Sequence, residues 1–336
     1  MNAKREQLGE QESPQTDTEN RPSSSARAFD WIVKNPHGIH ARPAAKIVQA
    51  VSPFQAQVWV KYQQKFADAR SYNQLLQLQV LPQQVITFYA EGEEAEQVLA
   101  ALETLATRHF DESVKVIDTK VQQGITIFPD AIEGQAVCFR QHFAKLREDR
   151  TACIELEDAI ELTQAQLREL EQHPKLSEDF RFLFQAHQYL LDEVREEIER
   201  LVEDGDVLEA CEQVFGALID QYRQLDDPYL QARAIDVEDL AYRLTANLQD
   251  VEITLPALQP NDLLCCDDLY PSSLVGLLDR SFSGICLAEG SAFSHAALIA
   301  KSLRIPMVIQ LGEGLKQITN GDHLKLNWLE GTVEAF

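Results

Sequence analysis

Two histidines stand immediately before predicted helices, and the residue types around the first of them suit phosphate chemistry. His40 opens a run with helical apolar spacing over 40–51, and Pro43 falls in its first turn, where proline costs no hydrogen bond. The N–H groups and dipole of a helix N-terminus attract an anion, and the guanidinium of Arg42 can chelate its oxygens. Neutral imidazole is also a nucleophile, so the pattern is compatible with reversible phosphorylation on nitrogen. Local physics alone favours a surface histidine and a solvated arginine.

The second candidate is His295, which follows a loop containing Gly290 and opens a predicted helix over 296–303 that ends before Pro306. Ser294 is a predicted cap for this helix, so the histidine would be presented where the helix begins. A histidine beside a serine is more often packed or solvated than reactive. The sequence places no acidic residue beside the pair, so a Ser–His hydrolase is not predicted.

The elements that must position His40 form a small β/α unit. Strands are predicted at 29–33, 56–62 and 85–90, and further helices at 73–79 and 94–108. Residues 1–27 are rich in Gln, Glu, Ser and Pro and have little to bury, which predicts a disordered linker. We expect the folded unit to cover residues 28–118.

The elements around His295 are predicted to form an α/β domain with a helical insertion. Residues 144–249 have helical apolar spacing, and His187 lies on one apolar stripe, where a packed imidazole is expected. Strand patterns stand on both sides of this region, at 124–139, 262–266, 284–287, 307–309 and 323–327. Residues 146–210 contain 19 acidic and seven basic side chains. Such density indicates solvated helix faces; the functional alternative is a docking surface for a basic protein.

Composition excludes several classes of function. The chain has 336 residues, with 54 acidic and 30 basic side chains and a formal net charge of −24, which repels nucleic acid and anionic membranes. No segment approaches the roughly 20 apolar residues of a membrane helix. The six cysteines form no CxxC pair and no metal-binding pattern with histidine, which indicates reduced thiols in a cytosolic protein. Neither a metal nor another cofactor is predicted.

The sequence GIHARPA at residues 38–44 resembles the active-site motif of HPr, the histidine-containing phosphocarrier of the bacterial phosphotransferase system. The likeness covers residues 28–118 and implies an HPr-like open-faced β-sandwich. In such a domain His40 would be phosphorylated and Arg42 would bind the phosphate. Ser71 falls where some HPr proteins are regulated by serine phosphorylation, although we favour a helix N-cap at this position.

Residues 119–336 resemble the phosphohistidine domain at the N-terminus of enzyme I. The likeness rests on Ser294-His295-Ala296-Ala297 and the helix that follows, and on the sequence YLQAR at 229–233 with aspartates after it. It implies an α/β domain with an inserted helical bundle at about 144–249.

In this resemblance His295 is the phosphorylated residue, while Ser294 and Gly290 shape the phosphate-binding loop. Enzyme I has a basic residue and a threonine before its Ser-His pair, whereas this chain has Ala292 and Phe293. The lost cation predicts weaker chelation of the phosphate, and the aromatic ring predicts a drier loop.

The order of the two units is similar to that in multiphosphoryl transfer proteins, and among them in the phosphotransfer subunits of phosphoenolpyruvate-dependent dihydroxyacetone kinases. The resemblance implies a cytoplasmic phosphotransferase that relays phosphate between His295 and His40. HPr or enzyme I would be the donor, and a IIA-like domain and dihydroxyacetone kinase subunits the acceptors. The alternative is a regulatory binding module, derived from HPr and enzyme I, whose histidines are idle.

Two absences qualify this expectation. The barrel domain with which enzyme I takes phosphate from phosphoenolpyruvate does not follow, so we expect dependence on a donor protein. The IIA-type domain that precedes the linker in those subunits is also missing. The chain is then a fragment, a split gene product, or a protein that borrows this domain in trans.

Overall fold

A computed structural model of the chain describes residues 21–23, 25–35, 38–111, 132–140, 154–202, 206–327 and 332–335. These residues form an antiparallel four-stranded sheet, a group of helices, and a six-stranded sheet with four parallel strands. This confirms the predicted fold class, in which an α+β unit precedes an α/β unit with inserted helices.

The first unit is a four-stranded sheet covered on one face by three helices. Its strands are β1 (Arg27–Ile32), β2 (Gln57–Tyr62), β3 (Lys65–Asp68) and β4 (Val85–Glu91), and its helices are α1 (Ala41–Val51), α2 (Tyr72–Gln77) and α3 (Ala95–Thr107). The strand order is β1-β4-β2-β3, all antiparallel. Alternate residues such as Val60 and Phe88, which pair across β2 and β4, are buried against the helices. The short, polar β3 was not predicted.

The second unit begins with a helical group. It comprises α4 (Leu156–Glu171), α5 (Glu178–Val202), α6 (Val207–Arg223), α7 (Pro228–Gln231) and α8 (Ala234–Leu248). The helices α4, α5, α6 and α8 pack against one another along their apolar stripes. As predicted, the stripe of α5 is buried, and His187 on it is only 3% exposed.

The six-stranded sheet completes the second unit. Its strands are β5 (Ile132–Cys138), β6 (Asp262–Cys266), β7 (Gly284–Leu287), β8 (Met307–Val308), β9 (His323–Asn327) and β10 (Thr332–Ala335), with helices α9 (Pro271–Leu277), α10 (His295–Ser302) and α11 (Glu313–Lys316). The order is β10-β9-β5-β6-β7-β8, and β5 to β8 run parallel. Because β5 and β6 are direct neighbours, the helical group is an insertion between two adjacent strands of one sheet.

Several sequence predictions fall outside the described residues. They concern most of the linker at 1–27, the strand pattern before residue 132, the helical pattern before residue 154, and the boundary at 118–119. The domain boundaries therefore stay predictions. Over the described ranges, no helix has both the length and the apolar character needed to cross a membrane.

The first unit packs on the helical group of the second. Helices α1 and α2 both contact α5. Side chains join the two units away from the histidines as well, since Nε2 of Gln77 donates to Oε1 of Gln221 at 2.7 Å. This packing decides which residues surround His40.

Candidate functional site

His40 occupies the N-cap of α1, where the backbone is extended before the helix begins. Its carbonyl accepts the first helical hydrogen bond, from N–H of Ala44 at 3.0 Å. The preceding turn depends on Gly38, which has φ +67° and lies so close to Val80 that a Cβ would be 1.8 Å from its carbonyl oxygen. Ile39 N–H donates to that same oxygen at 3.0 Å, which ties the turn to the loop before β4. The position of His40 is therefore fixed by backbone geometry.

Arg42, the predicted phosphate ligand, lies in the interface between the two units. Its guanidinium forms an ion pair with Asp179 at the start of α5 and donates to the carbonyl of Asp111 at 2.5 Å. It also lies over the ring of Phe182, with Cζ 4.8 Å from the ring centroid. In this arrangement Arg42 holds the units together, and its role as a phosphate ligand stays a prediction.

His295 is the first residue of α10, and Ser294 is its N-cap, as predicted. The Ser294 hydroxyl accepts from N–H of Ala297 at 3.2 Å, so it serves the helix start. Gly290 has φ +92° in the preceding loop, packed beside Leu287 and Asp268. These two predicted loop residues shape the backbone that carries the histidine.

Two side chains from α8 and the residue before it surround the imidazole of His295. Nδ1 of His295 lies 2.8 Å from Oδ2 of Asp236, and Nη1 of Arg233 contacts both ring nitrogens, lying 2.7 Å from Nε2. Arg233 and Asp236 are themselves paired at 3.3 Å, and Arg233 also donates to the carbonyl of Phe293. All three charged or titratable groups are buried, with exposures of 2% for Arg233, 6% for Asp236 and 8% for His295.

Burial sets the electrostatics of this cluster. It lowers the pKa of His295 below the ordinary value, and the Arg233 cation acts in the same direction against the opposing Asp236 carboxylate. Burial alone would raise the pKa of Asp236, but its contacts with His295 and Arg233 outweigh burial, so the net shift is downward. The cluster therefore combines an ionised aspartate with an imidazole that favours its neutral, nucleophilic form.

The two histidines share their neighbours. His40 packs edge to face on Tyr229, with ring centroids 5.9 Å apart and an interplanar angle of 86°. The guanidinium of Arg233, which contacts His295, lies over the same tyrosine, with Cζ 4.7 Å from the ring centroid. Phe293 also packs on Tyr229, at 6.2 Å between centroids. The fold thus gathers two histidines that stand more than 250 residues apart in the sequence.

Sequence reasoning missed Arg233 and Asp236 as site residues. The signal was present, because both stand in the stretch after Tyr229 that resembles enzyme I. Arg233 also corrects the expectation that His295 lacks a cation: the loop supplies none, but the residue that precedes α8 does. Phe293 does not make the loop dry, since this side chain is 47% exposed.

Ser71 is the N-cap of α2, and its hydroxyl accepts from N–H of Gln74 at 3.1 Å. The favoured interpretation of Ser71 as a helix cap agrees with this contact. The same helix start meets the second unit, where Oε2 of Glu193 on α5 accepts from N–H of Asn73 at 3.3 Å. Burial raises the pKa of Glu193 to about 7, against weaker lowering by hydrogen bonds from Asn73, Ser71 and Tyr72.

Family comparisons match three segments of the chain. Residues 28–108 match the PTS HPr component phosphorylation site, residues 123–233 the N-terminal domain of PEP-utilising enzymes, and residues 258–331 the mobile domain of those enzymes. The first segment falls in the unit that carries His40, and the other two fall in the unit that carries His295.

Whole-chain relatives are also found. The phosphoryl donor subunit DhaM of PEP-dependent dihydroxyacetone kinase from Escherichia coli is 33% identical and that from Providencia stuartii 32% identical, each over 97% of this chain and 71% of the relative. A multiphosphoryl transfer protein from Xanthomonas campestris is 25% identical over 91% of this chain and 40% of its own length.

Among solved structures, a solution structure of Enzyme I (nEIt) covers 62% of this chain and 90% of its own, with 25% identity and a TM-score of 0.46. An HPr from Thermoanaerobacter tengcongensis covers 26% of this chain and 99% of its own, with 35% identity and a TM-score of 0.26.

Proposed function

The chain belongs to the family of phosphoryl donor subunits DhaM of phosphoenolpyruvate-dependent dihydroxyacetone kinase, and on this premise we propose that His295 and His40 are successive carriers of one phosphoryl group. The protein is a phosphotransferase of the phosphotransferase system. The observation that carries the proposal is the convergence of both histidines, each at a helix start, on Tyr229 and Arg233.

The surroundings of His295 support one order of events at its ring. When Nδ1–H of His295 donates a hydrogen bond to Oδ2 of Asp236 at 2.8 Å, the lone pair of the ring lies on Nε2, one of the two ring nitrogens that Nη1 of Arg233 contacts. Attack of this lone pair on the phosphorus of a donor phosphohistidine forms one N–P bond while the other breaks, and the donor imidazole leaves with the bonding electrons. The phosphorylated ring keeps its Nδ1 proton and becomes cationic, and the Asp236 carboxylate stabilises that charge.

Arg233 stabilises the transferred group in this mechanism. Its guanidinium lies against both ring nitrogens before the reaction and must move onto the phosphoryl oxygens when the N–P bond forms, since it cannot bond the lone pair that attacks phosphorus. Fixed donors at the place where charge develops stabilise the transition state, and planar guanidinium suits phosphate oxygens. The dipole of α10 acts in the same sense, because His295 is its first residue.

In transfer to His40, a nitrogen of the His40 ring attacks the phosphorus carried by His295, and the N–P bond to His295 breaks. This step takes place in the docked state, in which the first unit is packed on the helical group. Both rings are buried there, His40 to 7% exposure and His295 to 8%. A separate donor or acceptor protein therefore needs the first unit to leave the helical group. We propose that the docked state serves transfer between the two histidines and that the separated state serves exchange with HPr or enzyme I and with a IIA-like domain.

In this proposal the final acceptor is dihydroxyacetone, reached through partner kinase subunits in the cytoplasm. The relatives named for that kinase support it. A regulatory module with idle histidines is the competing function, and it predicts a chain that never carries phosphate.

Incubation with phosphoenolpyruvate, enzyme I and HPr tests the proposal directly. We expect acid-labile, base-stable phosphate on His40 and His295, mapped by peptide mass spectrometry. His40→Ala should keep the label on His295. If the donor enters at His295, His295→Ala should leave His40 unlabelled. A wild-type chain that carries no phosphate on His40 or His295 would contradict the relay and favour the binding module.

A further inference from the structure

We propose that Tyr229 is a positioning residue for phosphoryl transfer, with its ring seating the His40 imidazole while it holds the Arg233 guanidinium at His295. The inference rests on the proposed function and adds a residue to it. Tyr229 would touch neither the phosphorus atom nor its oxygens, and it acts through its two neighbours.

The backbone of Tyr229 is held from both directions. Asp227 caps α7, and its Oδ1 accepts from N–H of Tyr229 at 2.9 Å, while Pro228 occupies the first turn. The carbonyl of Tyr229 accepts from Nε of Arg233 at 3.3 Å. These bonds fix the backbone from which the ring of Tyr229 extends, which suits a residue that orients others.

The ring of Tyr229 contacts both sides of the transfer path. His40 packs on it edge to face at 5.9 Å, an arrangement that favours one orientation of the imidazole. The Arg233 guanidinium lies over it at 4.7 Å, within the range of a cation–π contact. Arg233 in turn lies 2.7 Å from Nε2 of His295.

This arrangement couples the two histidines through one side chain. If the ring is removed, His40 loses the surface that orients it, and Arg233 loses the face that restrains its guanidinium. Misplacement of reacting groups by about 1 Å can cost about 100-fold in rate. We therefore expect transfer between the histidines to depend on the aromatic ring of Tyr229.

The test compares Tyr229→Phe and Tyr229→Leu in the full chain, with Tyr242→Leu as a matched control. Tyr242 packs on Tyr270 at 5.5 Å in the same unit and has no role in the proposal. Each variant is labelled with phosphoenolpyruvate, enzyme I and HPr, and phosphate on His40 and His295 is followed by rapid quench and peptide mass spectrometry.

In Tyr229→Phe and Tyr242→Leu we expect phosphate to equilibrate between His295 and His40 at a rate within about twofold of the wild-type rate. Tyr229→Leu should be slower by about 10- to 100-fold. A wild-type rate for Tyr229→Leu overturns the inference, and so does a Tyr229→Phe variant that is as slow as Tyr229→Leu. If the wild-type chain takes no phosphate, the proposed function fails instead.

A second readout separates positioning from a loss of folding. Carbon-13 NMR of labelled histidine follows the titration of His295, with the signal assigned by its absence in His295→Ala. In Tyr229→Leu the freed Arg233 should allow the pKa of His295 to rise toward its ordinary value, while the melting temperature stays near that of Tyr242→Leu. An unchanged titration in a folded, slow variant contradicts the role of the ring in holding Arg233.

Discussion

The carboxylate of Asp236 lies 2.8 Å from Nδ1 of His295, and both groups are buried. In the proposed mechanism this contact keeps the proton on Nδ1 and leaves the lone pair on Nε2. It also places a negative charge where a phosphorylated imidazole needs compensation.

Asp236→Asn removes that charge while keeping the size of the side chain. We expect phosphorylation of His295 to slow by about 100-fold or more, because an amide does not compensate the cationic ring. Initial rates of labelling at His295 measure the effect. Glu238→Gln, on the same helix and paired with Arg223, is the control and should label normally. Equal rates for Asp236→Asn and the control would show that this charge plays no part.

Gly38→Ala should disturb the turn before His40. The substitution places a Cβ 1.8 Å from the Val80 carbonyl oxygen at a backbone with φ +67°, so the turn must open. We expect a loss of more than about 1 kcal/mol in the free energy of unfolding, together with slower labelling of His40. Denaturant unfolding and peptide mapping measure the two effects. Gly216→Ala, with no neighbour within 4 Å of its Cβ, is the control, and equal stability of the two variants would contradict the clash.

Glu193 should make the stability of the folded chain depend on pH. Its pKa is raised from 4.5 to about 7 in the folded chain, so the folded state binds more protons than the unfolded state in that window. Stability should therefore fall as pH rises from 4.5 through about 7. Asp68, which acts on Glu193 with the same sign, strengthens this trend.

In Glu193→Gln the melting temperature should change less with pH between 4.5 and about 7 than it does in the wild type. Glu197→Gln, an exposed residue on the same helix, should leave the slope as in the wild type. The same slope in all three proteins would show that the pKa of Glu193 is not raised in the folded chain.

His187→Leu should stabilise the helical group. Among the described residues both ring nitrogens of His187 are buried without a hydrogen-bond partner, a cost of about 1 kcal/mol or more that leucine removes. Burial lowers the pKa of His187 from 6.5 to about 4, so the wild type loses stability as pH falls through this range, because only the unfolded chain takes the proton.

Melting temperatures of wild type and His187→Leu between pH 4 and 6.5 measure both effects. The variant should melt higher, and its advantage should grow as pH falls. A lower melting temperature for the variant would indicate that the imidazole has a polar partner.

Much of the fold follows from local patterns. Helices α1 and α5 are recognised by apolar spacing, and the caps at Ser294 and Ser71 by residue type, since periodicity and capping act over a few residues. The strand β3 escaped prediction because four residues, Lys65–Asp68, carry too little apolar alternation to be distinguished from a turn.

The candidate site likewise has one part that the sequence predicts and one part that depends on the tertiary structure. The sequence by itself determined that two histidines open helices and that each stands in a motif that resembles a phosphohistidine site, because both features depend on a few consecutive residues. Only the tertiary structure decided that Arg233 and Asp236 enclose His295, and that Tyr229 joins it to His40. Those contacts span 59 residues or more, and they arise when the helical insertion folds back on its sheet and the first unit packs on the insertion.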